Sequence, residues 1–284
     1  MSPRPRLEAC FFPGSSRWRR MAAVLEYSAK RHCPGWDVNV EEVPGPTDPS
    51  PLGMPAHAAN TRKLDWWADR VVSAADGAQQ LLVDADVVVL RPLDDLWEMD
   101  FDLAYTGRPP GARFPLNAGV VAVRACEGTR ALFGAWVAEN AQVLRARRES
   151  ARARYGGCNQ AALGLLFEQM SWLYRGSPLS GPVGPYLSGS VGPYAETVLP
   201  PVPGAPRGAM VAVRRLECSE WNCENSTWPT CAAQRDGVRI LHVKNKLRER
   251  VFGRMGRPPD PLPHLQPLAE MWLDVEREIR EVNP

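Results

Sequence analysis

The first third of the chain alternates apolar runs with segments of helical periodicity. Residues 7–12 are an apolar run that leads into a Pro-Gly pair, and apolar residues between 18 and 25 then recur at helical spacing. Residues 36–43 alternate apolar and polar positions, as a half-exposed strand does, and apolar side chains between 64 and 71 fall on one helix face. The pattern therefore predicts the order strand, helix, strand, helix.

The middle of the chain continues this alternation around a buried strand. Residues 81–83 are apolar without alternation, which is typical of a strand that is covered on both faces of a parallel sheet. The later elements are predicted as strands over residues 87–90, 103–106, 117–123, 209–214 and 238–243, and as helices over 130–146, 160–170 and 263–282. Strands that alternate with helices predict an α/β domain with a largely parallel sheet, closed by the last helix.

A long segment rich in proline and glycine interrupts this order. Residues 177–207 contain the sequence Val-Gly-Pro-Tyr twice, at 183–186 and 191–194. A repeat of this kind is a loop feature. The segment is longer than a compact domain normally tolerates, so it is interpreted either as an acceptor-side loop or lid, or as a surface excursion.

Composition agrees with a globular protein. The chain has 284 residues, of which 44% are hydrophobic and 23% charged, enough to bury one large core or two modest ones. The N-terminal segment has only a short apolar run before a cluster of arginines, and no segment approaches about 20 uninterrupted apolar residues. We therefore expect no membrane insertion and a cytoplasmic location.

The cysteines are an odd number scattered along the chain. Seven are present, which favours reduced thiols over a disulfide framework. Cys218, Cys223 and Cys231 lie close in sequence, but three thiols without the close pairs of a zinc ribbon make a poor zinc site. The role of this cluster stays open. The net charge of +2 hides two basic stretches, residues 144–154 and 244–257.

The most informative residues follow the buried strand. Asp84 and Asp86 stand where this strand ends, and in an open α/β sheet ligands bind at that edge. Two negative charges at the end of a buried strand cost free energy unless a cation or a hydrogen-bond donor compensates them. A divalent cation that bridges to a diphosphate would do so, since hard oxygen ligands suit magnesium or manganese. The alternative is that the two aspartates only cap turns.

Three further segments add compatible chemistry. Asn117 and Gly119 open a later strand, where small or polar groups let backbone and substrate approach closely. Asn159 and Gln160 precede a helix, where amides can hold hydroxyl groups. His242 ends a late strand and two lysines follow it, so an imidazole could complete a carboxylate metal site while ammonium groups bind phosphate. Each segment alone has a structural explanation, and their joint occurrence favours a site.

In this order and spacing, the motifs resemble the retaining GT-A glycosyltransferases related to glycogenin and galactinol synthase. The resemblance covers residues 7–250 and implies a single GT-A domain over residues 1–284, with a Rossmann-like, mixed but mostly parallel sheet flanked by helices. It implies manganese (or magnesium) and a nucleotide-sugar donor, UDP-sugar by likeness. The roles it implies are metal ligation by Asp84, Asp86 and His242, donor binding by Lys63, Asp84, Asn117, Gly119 and Lys246, and catalysis by Asn159 and Gln160.

The chain departs from that family at two places. The family usually has aspartate where this chain has Asn159, which leaves the catalytic role of that position open. The family also has glycine and Pro-Trp around its C-terminal lysine, where this chain reads Lys-Asn-Lys-Leu-Arg over residues 244–248. The second departure leaves open which of the two lysines contacts the diphosphate.

The predicted activity is metal-dependent transfer of a hexosyl or pentosyl group to a hydroxyl acceptor. The metal would act as a Lewis acid on the departing diphosphate, and fixed charge would supply most of the acceleration. Sugar, acceptor and stereochemistry stay open. A basic segment leads into residues 156–160, which favours a polyanionic acceptor such as hydroxymethylated DNA. Its arginines are Arg145, Arg147, Arg148, Arg152 and Arg154.

Two alternatives belong to other classes of protein. The Asp-x-Asp motif also fits a haloacid-dehalogenase-like phosphohydrolase, with Asp84 as nucleophile and Asp86 as acid or base. That family places the motif in its first strand, whereas two strand-helix units precede it here. The second alternative is a non-catalytic nucleic-acid-binding module, because the chain combines an arginine-rich stretch with ten tryptophans. The aromatic residues are not interleaved with that stretch.

Overall fold

A seven-stranded sheet is the centre of the fold. The structure is a computed structural model, and it describes residues 3–14, 16–47, 55–145, 152, 154, 157–174, 196–199, 211–253 and 262–282. The sheet strands are β1 (Arg6–Phe11), β2 (Asp37–Glu42), β3 (Gln79–Asp84), β5 (Leu103–Gly107), β6 (Leu116–Arg124), β7 (Glu196–Leu199) and β8 (Val211–Glu217), in the order β2-β1-β3-β6-β5-β8-β7. Five strands run in one direction, and β6 and β7 run against them. The prediction of a mixed, mostly parallel sheet is confirmed.

A second sheet of two short strands lies beside the first. It pairs β4 (Val87–Val89) with β9 (Ile240–His242) in antiparallel register, with Val87 opposite His242. Both strands are fully buried. This small sheet joins the middle of the chain to its last third, and it brings a strand that follows the Asp-x-Asp motif next to one that carries a histidine.

Helices cover the main sheet on both faces. They are α1 (Ser16–His32), α2 (Pro55–Ser73), α3 (Glu127–Arg145), α4 (Cys158–Tyr174), α5 (Cys218–Trp221), α6 (Trp228–Ala233), α7 (Asn245–Phe252) and α8 (Leu265–Val282). Leu82 of β3 packs in a core with Trp67 of α2, whereas its neighbours Leu81 and Val83 pack in a second core with Leu25 of α1. The apolar run of β3 is therefore buried on both faces, as its lack of alternation predicted.

The last helix and the small sheet share a third core. Val88 of β4 and Leu241 of β9 pack there with Trp272 of α8. The hydrophobic side of α8 covers the small sheet, which explains the strong helical periodicity at the end of the chain. None of the described helices combines the length and apolar composition that a membrane span requires. The cytoplasmic location and the single-domain organisation stay predictions.

The Pro/Gly-rich segment contains a strand that its composition did not predict. Residues Glu196–Leu199 form β7, an edge strand that pairs antiparallel with β8. Its Thr-Val-Leu sequence suits a strand locally, but the prolines and glycines around it hide that signal. The remainder of the predicted loop over residues 177–207, including both Val-Gly-Pro-Tyr repeats, lies outside the described residues.

Two of the cysteines expected to be reduced are paired. The structure joins Cys223 and Cys231 in a disulfide with a Cα–Cα distance of 6.4 Å, which corrects that expectation for this pair. Cys231 lies in helix α6. Cys223 lies beside β9, where its backbone N–H donates to the carbonyl of Ile240. The other five cysteines are free, and Cys218 of the same cluster is buried.

Candidate metal and donor site

Three potential metal ligands converge where the two sheets meet. Asp84 ends β3, Asp86 directly precedes β4, and His242 ends β9. The register of the small sheet places His242 opposite Val87, and the backbone N–H of Val243 donates to the carbonyl oxygen of Asp86 at 2.7 Å. One ligand atom from each of the three side chains lies within 4.8 Å of the others. The structure thus brings together the three residues predicted to hold the metal.

Each carboxylate in this group turns one oxygen to the histidine and the other to a cation. His242 Nε2 lies 3.1 Å from Asp86 Oδ1 and 3.6 Å from Asp84 Oδ2. The opposite oxygens form ion pairs, Asp84 Oδ1 with Lys63 and Asp86 Oδ2 with Arg248. Burial alone would raise the pKa of Asp86, but the neighbouring His242 ring and the charges of Arg248 and a nearby lysine hold that pKa well below its usual range.

A glycine keeps the space beside these ligands open. A Cβ atom at Gly119 would lie 2.7 Å from His242 Cε1 and 2.8 Å from Asp84 Oδ2, closer than non-bonded atoms approach. The backbone N–H of Gly119 donates to Asn117 Oδ1 at 2.8 Å. Two carboxylates and one imidazole beside a space that a methyl group would fill are a donor set that fits manganese or magnesium.

The ligands open into a cavity of about 480 Å³. Among the residues that the structure describes, three cations line it, namely Lys63, Lys244 and Arg248. Phe12 and Trp18 form an apolar part of the wall, and the Arg248 guanidinium stacks 4.9 Å from the centre of the Trp18 ring. A pocket lined by both cations and aromatic rings suits a ligand that combines phosphate groups with an apolar ring.

The amides predicted to contact the sugar also line this cavity. Asn117 and Asn159 are nearly fully buried, and the backbone N–H of Gln160 donates to Asn159 Oδ1 at 2.9 Å. Gln160 Oε1 accepts from the backbone N–H of Ala118 at 3.3 Å, which links α4 to β6. Among the described residues, Asn117 Nδ2 is buried and has no hydrogen-bond partner. A ligand hydroxyl in the cavity would satisfy this donor. The catalytic roles of Asn159 and Gln160 stay predictions.

The two lysines after His242 lie in different places. Lys244 lines the cavity, whereas Lys246 is exposed in the first turn of α7 and lies outside the cavity lining. Donor binding by Lys246 therefore stays a prediction without support from the cavity. Arg248 is not among the site residues predicted from the sequence, and it lies on the same helix as Lys246, four residues after Lys244. This i to i+4 spacing was the signal that could have identified it.

A buried carboxylate forms an ion pair with Lys244. Glu224 is fully buried, 2.9 Å from Lys244 Nζ and 2.9 Å from Arg108 Nε. Burial would raise its pKa, but Lys244 and Arg108 outweigh that effect and lower the pKa to about 2. Glu224 therefore stays ionised and positions the Lys244 ammonium at the wall of the cavity.

Solved glycosyltransferases share this fold. No protein-family model matches the chain, and no curated protein matches it in sequence. The galactosyltransferase LgtC, solved in complex with donor and acceptor sugar analogues, superposes with a TM-score of 0.50 at 12% identity, over 96% of this chain and 95% of LgtC. The apo form of the glycosyltransferase GlyE of Streptococcus pneumoniae TIGR4 also gives 0.50 at 12% identity, over 99% of this chain and 64% of GlyE.

These solved structures share the GT-A fold with this chain. At such low identity they show the fold alone, and they confirm the fold that the motifs predicted. A fold of this kind does not fix an activity, which depends on the residues of the site.

Replacing Glu224 by glutamine tests the buried ion cluster. The variant leaves Arg108 and Lys244 without their counter-charge, so we expect a loss of about 3 kcal/mol in the free energy of unfolding near neutral pH. The pKa of Glu224 is lowered on folding, so its contribution is present above the ordinary value of 4.5 and is lost as the pH falls towards about 2. Urea denaturation over that pH range should show the two proteins converging. The exposed Glu281→Gln is the control and should follow the wild type throughout.

Replacing Gly119 by alanine tests the space beside the ligands. The added methyl group would push Asp84 and His242 apart, so we expect at least about tenfold weaker manganese binding in titration calorimetry. The cost in unfolding free energy should be about 1–3 kcal/mol. Gly134→Ala on α3 is the matched control, because its Cβ would meet nothing within 4 Å. Equal manganese affinity in wild type and Gly119→Ala would show that this space is not part of a metal site.

Proposed function

We propose that this protein is a metal-dependent glycosyltransferase that moves a hexosyl or pentosyl group from a nucleoside-diphosphate sugar to a hydroxyl acceptor. The observation that carries the proposal is the convergence of Asp84, Asp86 and His242 on a cation-lined cavity. The GT-A fold supports it. Manganese and a UDP-sugar donor are implied by the family that the sequence resembles.

The charged side chains of the cavity would have two roles, metal binding and phosphate binding. Asp84, Asp86 and His242 would hold the ion, which supplies Lewis-acid activation of the departing diphosphate when bound. Lys63 and Arg248 pair with these carboxylates and also line the cavity, so each can neutralise either a carboxylate or a phosphate oxygen. Charges fixed in this way need no reorganisation during the reaction, and such preorganisation commonly supplies the largest share of catalysis.

The amide side chains would bind the transferred sugar. Asn117 Nδ2 is a buried donor without a partner among the described residues, and it borders the same cavity as the ligands. Asn159 and Gln160, at the start of α4, line the same cavity. Amides both donate and accept, so they can hold sugar hydroxyls while the cations hold the phosphates. The donor would then lie with its sugar towards α4.

Replacing Asp86 by asparagine tests the metal assignment. Removing one anionic ligand should lower metal-dependent hydrolysis of a UDP-sugar by about 100-fold or more. The variant also loses the ion pair with Arg248, so its thermal unfolding should shift to lower temperature, and hydrolysis is compared below that temperature. His242→Ala should likewise raise the manganese concentration required. UDP release from a panel of UDP-sugars is the measurement, with the fully exposed Asp236→Asn as control.

The same assay separates this proposal from the phosphohydrolase alternative. Full activity of Asp86→Asn, or of the wild type in excess chelator, would contradict the metal site. Release of inorganic phosphate from phosphomonoesters, without UDP release from any sugar nucleotide, would instead favour a haloacid-dehalogenase-like reaction with Asp84 as the nucleophile.

The acceptor is proposed to be a polyanion, such as hydroxymethylated DNA. The support is the run of five arginines that leads into the Asn159-Gln160 motif. Most of that run, residues 146–151 and 153, lies outside the described residues. Clefts of one sign concentrate substrates of the other sign, so a basic segment beside the site would favour an anionic acceptor over a neutral one.

A salt titration tests this acceptor. Binding of duplex DNA should weaken with salt by a slope of about −0.9 in log affinity per phosphate contact. Changing the five arginines at positions 145, 147, 148, 152 and 154 to serine should flatten that slope, whereas Arg277→Ser with Arg280→Ser on the exposed side of α8 should not. Salt-independent acceptor binding in all three proteins would point to a neutral carbohydrate or small-molecule acceptor.

A further inference from the structure

We propose that Thr106 and Asn222 form a buried relay that fixes the tautomer of His242, and that Asn222 is thereby a positioning residue for the metal site. The inference rests on the proposed function, because it assigns His242 as a metal ligand. Four polar groups take part in sequence: the backbone carbonyl of Asn117, the Thr106 hydroxyl, the Asn222 amide and the His242 ring. The direction of each hydrogen bond follows from the one before it.

The relay begins at a group that can only accept. Thr106 Oγ1 lies 2.7 Å from the backbone carbonyl oxygen of Asn117. A carbonyl oxygen carries no proton, so the hydroxyl of Thr106 must donate to it. Thr106 is fully buried, which keeps bulk water from competing for the hydroxyl. Having given its single proton to Asn117, the hydroxyl has only lone pairs to offer to its next neighbour.

This leaves one orientation for the Asn222 amide. Asn222 Nδ2 lies 2.9 Å from Thr106 Oγ1, so the amide donates to the hydroxyl. The flipped amide would set oxygen against oxygen with no proton between them. The orientation of an asparagine amide is normally inferred from its hydrogen-bond network, and here the network permits only one. Asn222 Oδ1 must then face the ring of His242.

The last step determines the state of the ring. Asn222 Oδ1 lies 2.9 Å from His242 Nδ1 and can only accept, so Nδ1 carries a proton. In the neutral imidazole, Nε2 is then unprotonated, and Nε2 is the atom that faces Asp84 and Asp86. A metal ligand needs that lone pair. Without the relay, the carboxylates would favour the opposite tautomer, with the proton on Nε2, because they accept hydrogen bonds.

Backbone contacts hold the relay in place from both ends. The strand pairing of β5 with β6 shifts register between Tyr105 and Thr106, and this shift sets Thr106 opposite Asn117. At the other end, Cys223 donates its backbone N–H to Ile240, and His242 donates its own backbone N–H to the carbonyl of Cys223 at 2.8 Å. Asn222 is therefore held beside β9 by the residue that follows it.

The test measures the tautomer and the metal affinity separately. The 284-residue protein is labelled with nitrogen-15 and freed of metal, and the His242 ring is identified by comparison with His242→Gln. At a pH where the ring is neutral, the shifts of its two nitrogens report which one carries the proton. Manganese affinity is measured without donor by electron paramagnetic resonance. The variants are Thr106→Val, Asn222→Leu and the conservative Thr106→Ser.

The expected results follow from the direction of the relay. Wild type and Thr106→Ser should hold the proton on Nδ1 and bind manganese with similar affinity. Thr106→Val frees the amide to flip, so the proton should move to Nε2 and the affinity should fall about 10- to 100-fold, as it does when outer partners of metal ligands are lost. Asn222→Leu should weaken manganese binding to the same degree. The purely structural role of a buried threonine would not move the tautomer.

Two outcomes would overturn different parts of the inference. A proton on Nε2 in the wild type, or unchanged tautomer and affinity in folded Thr106→Val and Asn222→Leu, would refute the relay while leaving the metal site standing. A proton on Nδ1 in a wild type that binds no manganese would refute the proposed metal site while supporting the relay. The wild-type spectrum decides the tautomer even where a variant fails to fold.

Discussion

The candidate site depends on the antiparallel pairing of β4 with β9. This pairing joins residues more than 150 positions apart, and it is the contact that brings the single histidine of the site to the two aspartates. Three backbone hydrogen bonds fix His242 and its neighbour: Val243 to Asp86, His242 to Cys223, and Cys223 to Ile240. Backbone hydrogen bonds therefore set the positions of Asp86 and His242, and their side chains remain available to bind a metal ion.

Charge balance is the second constraint on this region. Asp86 and Glu224 are buried carboxylates, and burying a charge is costly unless it is paired. Arg248 pairs with Asp86, while Arg108 and Lys244 pair with Glu224. The cations that offset this cost are also the ones that line the cavity, with the exception of Arg108. Folding therefore supplies a positive cavity wall as a consequence of burying the acidic groups.

Much of the site can be predicted from local sequence patterns. Asp84 and Asp86 follow an apolar run without alternation, and a run of that kind predicts a buried strand whose end faces ligands. Gly119 and Asn117 stood out because a small and a polar residue open an otherwise apolar strand, and the structure shows that a Cβ at Gly119 would collide with two ligands. These signals are local, since each is carried by a few consecutive residues whose period or side-chain size is informative by itself.

By itself, the sequence determined the α/β order of elements, the buried strand and the set of polar residues at its end, because periodicity and turn residues act over short distances. Only the tertiary structure decided which cations and which outer partners complete the site. Arg248, rather than Lys246, reaches the cavity, and Asn222 reaches His242, because a strand pairing and a helix start orient them. It also decided the Cys223–Cys231 pair. Partners that are far apart in the chain leave no periodic trace in it, and the direction of a side chain is set by the packing around it.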